Sequence, residues 1–359
     1  MRQRRFKNVT ATDVFMWAIG AAILLFVCYG TIRQLFFIKR YDPAEWVDFV
    51  LSGLGQGGVY ALIALGYTLV YGILLMINFA HGEVFMGGAF TAFFVADAFG
   101  RKGYFDSPNF NVKTLLALGV VFLVSMVTSV LIAVILERVA YRPLRGAPRL
   151  VPLITAIGAS FFLQYTFSGL YGSGVKTYPD VEMLKGEWSV GDIGMAKIQI
   201  VVIIAAVLMM LGLYWFVQLT KTGKSLRAVA EDKDVAALMG IDVDRVIVIT
   251  FVLGAALAGA AGVLYALMFK QVQFMMGFIP GLKAFTAAVL GGIGNIPGAM
   301  LGGFFLGIVE SVGPSLFLEG AGIPAAYQLK DVIAFTMLVL VLILRPSGIL
   351  GERLTDKKA

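Results

Sequence analysis

Apolar residues along this chain come in long blocks and do not alternate with polar ones. Such blocks occupy 14–32, 47–66, 84–100, 114–136, 151–170, 198–218 and 246–269, with a longer run at 284–313 and a shorter one at 331–344. A helix that crosses a bilayer needs roughly 20 apolar residues, so the blocks predict membrane-spanning helices. No alternating run of about ten residues recurs, which argues against a transmembrane β-barrel. The 284–313 run is too long for one span and contains GGIGNIPG at 291–298, where Gly, Asn and Pro interrupt a helix. A second interruption is predicted at INFAHGE, 77–83, between GYTLVYGILLM and VFMGGAFTAFFVA.

Composition makes the bilayer the solvent of this chain. Hydrophobic residues are 59% and charged residues 14%, with mean hydropathy +0.87, whereas a soluble domain carries about 25% charged residues. The 42 glycines suit helices that pack closely in lipid. A single cysteine, Cys28, excludes an internal disulfide and a thiolate metal site. MRQRRFK before the first block resembles a signal peptide, but the block is long for one and no small-x-small cleavage pattern follows. A retained first helix is expected.

Charge sets the expected orientation, because basic residues collect on the cytoplasmic side of short loops. Arg138, Arg142, Arg145 and Arg149 stand against one acid, Glu137, in 137–150. The loop 219–245 carries Lys221, Lys224, Arg227, Lys233 and Arg245. The N-terminal tail has Arg2, Arg4, Arg5 and Lys7, and the C-terminal one Arg345, Arg353, Lys357 and Lys358. Placing all four inside requires the 284–313 run to split in two. The prediction is an all-α polytopic membrane protein of about ten transmembrane helices, interrupted near 77–83 and 291–298, with both termini cytoplasmic. The helix before the second interruption, 280–293, spans about 21 Å, against a hydrocarbon core of about 30 Å. Irregular backbone at membrane depth is tolerated only inside protein or against a water-filled cavity.

The two interruptions hold the candidate pathway residues: Asn78, His81, Gly82 and Glu83 in the first, and Gly291, Gly292, Gly294, Asn295 and Pro297 in the second. His81 is the only histidine. Each interruption has an asparagine, then a glycine (Gly82, Gly298), then a Gly-Gly pair (87–88, 302–303). Paired interrupted segments in two halves of a transporter point to a substrate path. His81 is expected to donate to a carbonyl freed by the break, and Asn78 to cap or cross-link it. An intramembrane carboxylate marks a functional or paired site. Glu83 is expected to find His81, or the amides at the start of the next helix, where the dipole favours negative charge. Glu310 and Asp97 are read as interfacial.

In the 219–245 loop, Gly223-Lys224-Ser225 resembles the end of a phosphate loop. The glycine required five positions earlier is Gln218, and no strand precedes it. No nucleotide site is legible. From Ser225 as N-cap to Gly240 as stop, one amphipathic helix is predicted. Leu226, Val229, Val235, Leu238 and Met239 form its apolar positions, and Arg227, Glu231, Asp232, Lys233 and Asp234 its charged middle. It is either a solvated loop helix or one that docks into a groove on a cytoplasmic partner. Ser, His and Asp form no hydrolytic constellation.

Five segments carry a family resemblance: YALIALGYTLVYGILLMINFAHGEVFMGGAF (60–90), ERVAYRPLR (137–145), RAVAEDKDVAALMGIDVDRVI (227–247), GLKAFTAAVLGGIGNIPGAMLGGFFLGIVE (281–310) and RPSGILG (345–351). Over roughly 46–351 the chain resembles the permease subunits of bacterial ABC importers for branched-chain amino acids, the LivH type. The resemblance implies a multi-pass inner-membrane transport subunit with no catalytic residue, metal or cofactor of its own. It also implies the partners: a second homologous permease, two cytoplasmic ATPases that use the ATP, and a periplasmic binding protein that delivers leucine, isoleucine or valine. The bilayer surrounds the chain, and no nucleic acid is involved. The 219–245 segment resembles the loop that couples to the ATPase, through Arg227, Glu231, Asp232, Leu238, Met239 and Gly240. Residues 1–45, with an additional helix, extend beyond the compact members, and 352–359 form a cytoplasmic tail. Two alternatives remain: an ABC permease for urea or short amides, and a proton-coupled secondary transporter with Glu83 and His81 as relay.

Overall fold

The computed structural model describes residues 11–148, 150–190, 193–345 and 348–351. Arg2, Arg4, Arg5, Lys7, Arg149, Arg353, Lys357, Lys358 and the 352–359 tail lie outside the described residues. Twelve α-helices are described: α1 Ala11–Ile32, α2 Pro43–Leu74, α3 His81–Arg101, α4 Val112–Leu136, α5 Leu150–Tyr171, α6 Lys197–Leu219, α7 Lys221–Glu231, α8 Lys233–Leu238, α9 Val243–Phe269, α10 Phe278–Gly291, α11 Ile296–Gly313 and α12 Lys330–Leu344. Nine helical segments among the described residues are long and apolar enough to cross a membrane, and α10 is a tenth, shorter apolar helix. The 284–313 run splits at 292–295, as its Gly-Asn-Pro content predicts.

Helix α2 is the axis of the bundle and packs against α11, α9, α10 and α6. Pro43 opens it, a position where the missing N–H costs nothing, and Glu45 Oε2 accepts from the Asp42 amide at 2.8 Å. Its seam with α11 is built from glycines four apart, Gly53 and Gly57 facing Gly303 and Gly307. A Cβ on Gly53 would stand 2.7 Å from Ile308 Cα, and one on Gly57 2.8 Å from the Gly303 carbonyl oxygen. In lipid no water is expelled between helices, so such close packing supplies much of the association energy. Ser125 Oγ donates to the Gly259 carbonyl at 2.7 Å and Ser129 Oγ to the Val84 carbonyl at 2.8 Å, which ties α4 to α9 and α3.

One buried charge cluster corrects the sequence reading. Glu310 is fully buried, not interfacial, and Lys283 Nζ of α10 lies 2.5 Å from it and 2.6 Å from Asp331 of α12. Tyr60 and Gln56 also donate to Glu310. A buried charge is tolerated only with such partners. Asp97 is partly exposed and pairs with Arg101 one turn on.

Two short antiparallel strand pairs lie at one end of the bundle. β1 (Lys176–Thr177) joins β4 (Gln271–Val272), and β2 (Glu187–Val190) joins β3 (Ile193–Ala196). Helices α7 and α8 lie at the other end. Helix α1 is largely exposed and touches the bundle where Gly30 meets Phe317 and Gly320.

Candidate functional site

Helix α2 ends where Leu75 enters the left-handed region at φ 54°. Residues 75–80 then lead into α3, so the break precedes His81, Gly82 and Glu83, which form the first turn of α3. Asn78 Oδ1 accepts from the Tyr141 hydroxyl at 2.6 Å and ties the break to the end of α4. The His81 ring stands edge-on to Tyr67 at 5.0 Å, approaches the Ile63 backbone, and lies so close to Gly66 that no Cβ fits there. Gly66 in turn faces Gly254 of α9, 3.0 Å from a Cβ built there. At 1.5 Å per residue, Gly254 is about 17 Å from one end of α9 and about 22 Å from the other. Helix α3 therefore begins at mid-depth.

A second helix begins beside it. Helix α9 ends at Lys270, φ 58°, at the strand end of the bundle. The chain then turns back inward, and Gly277 packs against Gly82. A Cβ on Gly82 would stand 2.5 Å from the Gly277 carbonyl oxygen, and one on Gly281 2.9 Å from Gly82 Cα. Only glycine permits this approach. The N-termini of α3 and α10 thus meet at mid-depth, each presenting the positive end of its dipole. Sequence reading missed this re-entrant segment, 270–277. Its signal is Gly277 and Gly281 flanking Pro280, a residue tolerated in the first turn of a helix.

Glu83 is buried at this junction, 1% exposed. Its Oε1 accepts from Gln164 Nε2 at 2.7 Å and from Ser160 Oγ at 3.2 Å, both on α5, and its Oε2 has no hydrogen-bond partner among the described residues. The expected pairing with His81 is corrected: residues two apart on a helix do not face each other.

The second predicted cluster is elsewhere. Gly292 and Gly294, at φ 106° and 95°, turn the chain from α10, which ends at Gly291, into α11. Asn295 Oδ1 caps α11 by accepting from the Gly298 amide at 2.9 Å, and its Nδ2 donates to the Leu350 carbonyl at 3.0 Å. Pro297 lies in the first turn of α11. This turn is at the opposite end of α10 from Gly277, about 20 Å away at 1.5 Å per residue. Gly82 therefore meets Gly277 and Gly281 and not the second predicted interruption, whose Gly294 lies beside Gly72 near the end of α2.

The predicted single helix 225–240 is two helices. Thr220, not Ser225, caps α7, its Oγ1 accepting from the Gly223 amide at 2.9 Å. Asp232 ends α7 and caps α8, its Oδ1 accepting from the Asp234 and Val235 amides at 2.9 and 3.1 Å. The change of direction at Asp232 divides the apolar positions. Leu226 and Val229 are buried, whereas Leu238 is 87% and Met239 78% exposed at the tip. Gly240, φ 84°, supplies the stop. Arg227 donates to Gln218, and Glu231 is exposed. Burial, then the Arg145 guanidinium, pull Lys233 below the usual lysine range. Arg142 and Arg145 pair with Asp244, and Arg145 also with buried Glu137, which fastens the 137–145 segment to the start of α9.

At the other end, Asp180 receives Lys270 at 2.8 Å and Lys185 at 3.0 Å. The hydrogen bond from Lys270, then that from Lys185, hold its carboxyl below the usual range. The Tyr178 amide donates to the Lys270 carbonyl at 2.9 Å. The 171–197 loop is thereby fixed to the entrance of the re-entrant segment.

A family described as the branched-chain amino acid transport system permease component matches residues 49–342. The chain belongs to this family. Both the 75–80 break and the 270–277 re-entrant segment lie within the match, and α1 lies before it. The permease is 43% identical over 316 residues to the high-affinity branched-chain amino acid transport system permease protein BraD of Pseudomonas aeruginosa, covering 87% of this chain and 98% of that one. It is 44% identical over 313 residues to LivH, the high-affinity branched-chain amino acid transport system permease protein of Escherichia coli, covering 86% and 96%. A more distant relative, the probable branched-chain amino acid transport permease protein LivH of Methanocaldococcus jannaschii, is 28% identical over 315 residues.

Proposed function

We propose that this permease provides the transmembrane path for leucine, isoleucine and valine in an ATP-driven importer of the bacterial inner membrane. The observation that carries this reading is the similarity to BraD and LivH over nearly their whole lengths. ATP is bound and hydrolysed on two separate cytoplasmic subunits, a second homologous permease completes the path, and a periplasmic binding protein delivers the substrate. The end bearing α7 and α8 faces the cytoplasm, where Arg138, Arg142, Arg145, Lys221, Lys224 and Arg227 collect. Both termini share that side. The exposed Leu238 and Met239, with Gly240 behind them and Asp232 capping the turn, seat on the ATPase together with Arg227 and Glu231.

The path passes the mid-depth junction of α3 and α10. Two helix N-termini there attract a carboxylate, and Glu83 offers an oxygen to an ammonium group. This matches the zwitterionic end of an amino acid better than neutral urea or an amide. A proton relay between His81 and Glu83 is not supported, since no hydrogen bond joins them among the described residues.

The test is uptake by cells that lack their own branched-chain importers and express this permease with the second permease, the two ATPases and the binding protein. Leucine, isoleucine and valine are expected to enter and urea not. Urea uptake without leucine uptake would overturn the reading.

A further inference from the structure

Beside the α3–α10 junction lies a cavity of about 220 Å³ between α2, α5 and α10. Phe79, Ile157, Phe161, Phe278 and Leu282 form its apolar walls. Gly281, which touches Gly82, lies in its lining and sets it at mid-depth. No charged side chain lines it. Its polar points are Tyr67 and Ser160, and Ser160 is the residue that donates to Glu83 at 3.2 Å. We propose that this cavity receives the branched aliphatic side chain of the amino acid in transit, with the ammonium end at the Ser160–Glu83 edge. The inference rests on the branched-chain amino acid reading above and adds the residues that sort side chains.

Size, polarity and the Ser160 hydroxyl at its edge support it. An apolar cavity of about 150 Å³ holds benzene, so about 220 Å³ admits a four-carbon branched chain. A charged side chain entering the same walls would lose its hydration without a partner. The competing occupant is a lipid acyl chain, because Ile157 and Phe161 are exposed at the mouth. An acyl chain offers no polar group to Tyr67 and Ser160, whereas an ammonium group can donate to the Ser160 hydroxyl oxygen, which keeps lone pairs while it donates to Glu83.

The assembled importer in proteoliposomes tests this with photo-leucine, a diazirine analogue, supplied through the binding protein under ATP turnover. Label is expected on the segments containing Ile157 and Phe161 or Phe278 and Leu282. Ile157→Trp, which fills the cavity, is expected to lower both label and leucine uptake about tenfold, the scale of a steric mismatch in an apolar pocket. ATPase stimulation by the loaded binding protein should persist. Phe161→Ala enlarges the cavity and covers the case in which the Trp variant does not assemble; it should shift the leucine-to-valine uptake ratio several-fold. Label confined to other segments, an unchanged ratio in Phe161→Ala, or labelling of these residues by a diazirine phospholipid that leucine does not compete away would each overturn the proposal. Failure of the wild-type importer to take up leucine overturns the function reading itself, and is distinguished by appearing before any substitution is made.

Discussion

Gln164 Nε2 donates to Glu83 Oε1 at 2.7 Å, and this bond joins the middle of α5 to the first turn of α3. The carboxylate is held from across the bundle and not by its neighbour His81. Glu83→Gln keeps the shape and an acceptor for Gln164 and Ser160. Glu83→Leu removes the acceptor and leaves both donors unpaired, at about 1–3 kcal/mol each. Transport is expected in the order wild type, Gln, Leu, with the thermal midpoint of the purified permease following the same order. Equal loss in both variants would show that the charge itself, and not the hydrogen bonds, is needed.

The Gly82–Gly277–Gly281 contact leaves no room for a Cβ. Gly82→Ala must push α10 away from α3, an overpacking cost of about 1–3 kcal/mol. Gly119→Ala, on the face of α4 with nothing within 4 Å, is the matched control and should be neutral or slightly stabilising. Thermal unfolding of the two variants in detergent checks this. Equal midpoints would mean the junction yields without cost.

Substitutions in α7 and α8 are expected to separate folding from the proposed docking on the ATPase. Leu226 is buried within the permease, so Leu226→Glu should lower the amount of folded protein in the membrane, a buried carboxylate without a partner costing several kcal/mol. Leu238 is exposed, so Leu238→Glu should leave that amount unchanged and reduce co-purification of the ATPase. Loss of membrane protein in both variants would place Leu238 in the fold itself.

Asp180 predicts a pH dependence at the strand end. Its folded pKa is depressed by Lys270 first and Lys185 second, so its contribution is complete above the ordinary value of 3.8 and is lost as pH falls through the lower folded value. The residue is half exposed, so the gain is limited to about 0–1 kcal/mol. Asp180→Asn should lower the thermal midpoint slightly at neutral pH, and the gap should close below the ordinary carboxylate value. A gap that stays constant with pH would assign the effect to packing.

The spans, the split of 284–313 and the break near Asn78 were legible because long apolar runs and Gly-Asn-Pro clusters act locally. The re-entrant segment was not, because 270–277 reads as an ordinary loop until Gly277 is seen against Gly82, almost 200 residues earlier. Glu83 and Gln164 are likewise joined by tertiary packing, which no local pattern reports. Glu310 was misread because Lys283, which neutralises it, sits on a separate helix. Asp232 looked like one charge among several, yet its capping bonds divide the predicted amphipathic helix in two.

ATP drive is tested most directly by leucine uptake into proteoliposomes that hold this permease, its homologous partner and both ATPases. The binding protein is supplied on one side and ATP on the other, and the proton gradient is collapsed by an ionophore. Uptake is expected to persist without the gradient, to stop when ATP or the binding protein is withheld, and to continue at a reduced rate in Glu83→Gln. Uptake that vanishes with the gradient while ATP is abundant would contradict the importer mechanism and return Glu83 to the role of a proton carrier.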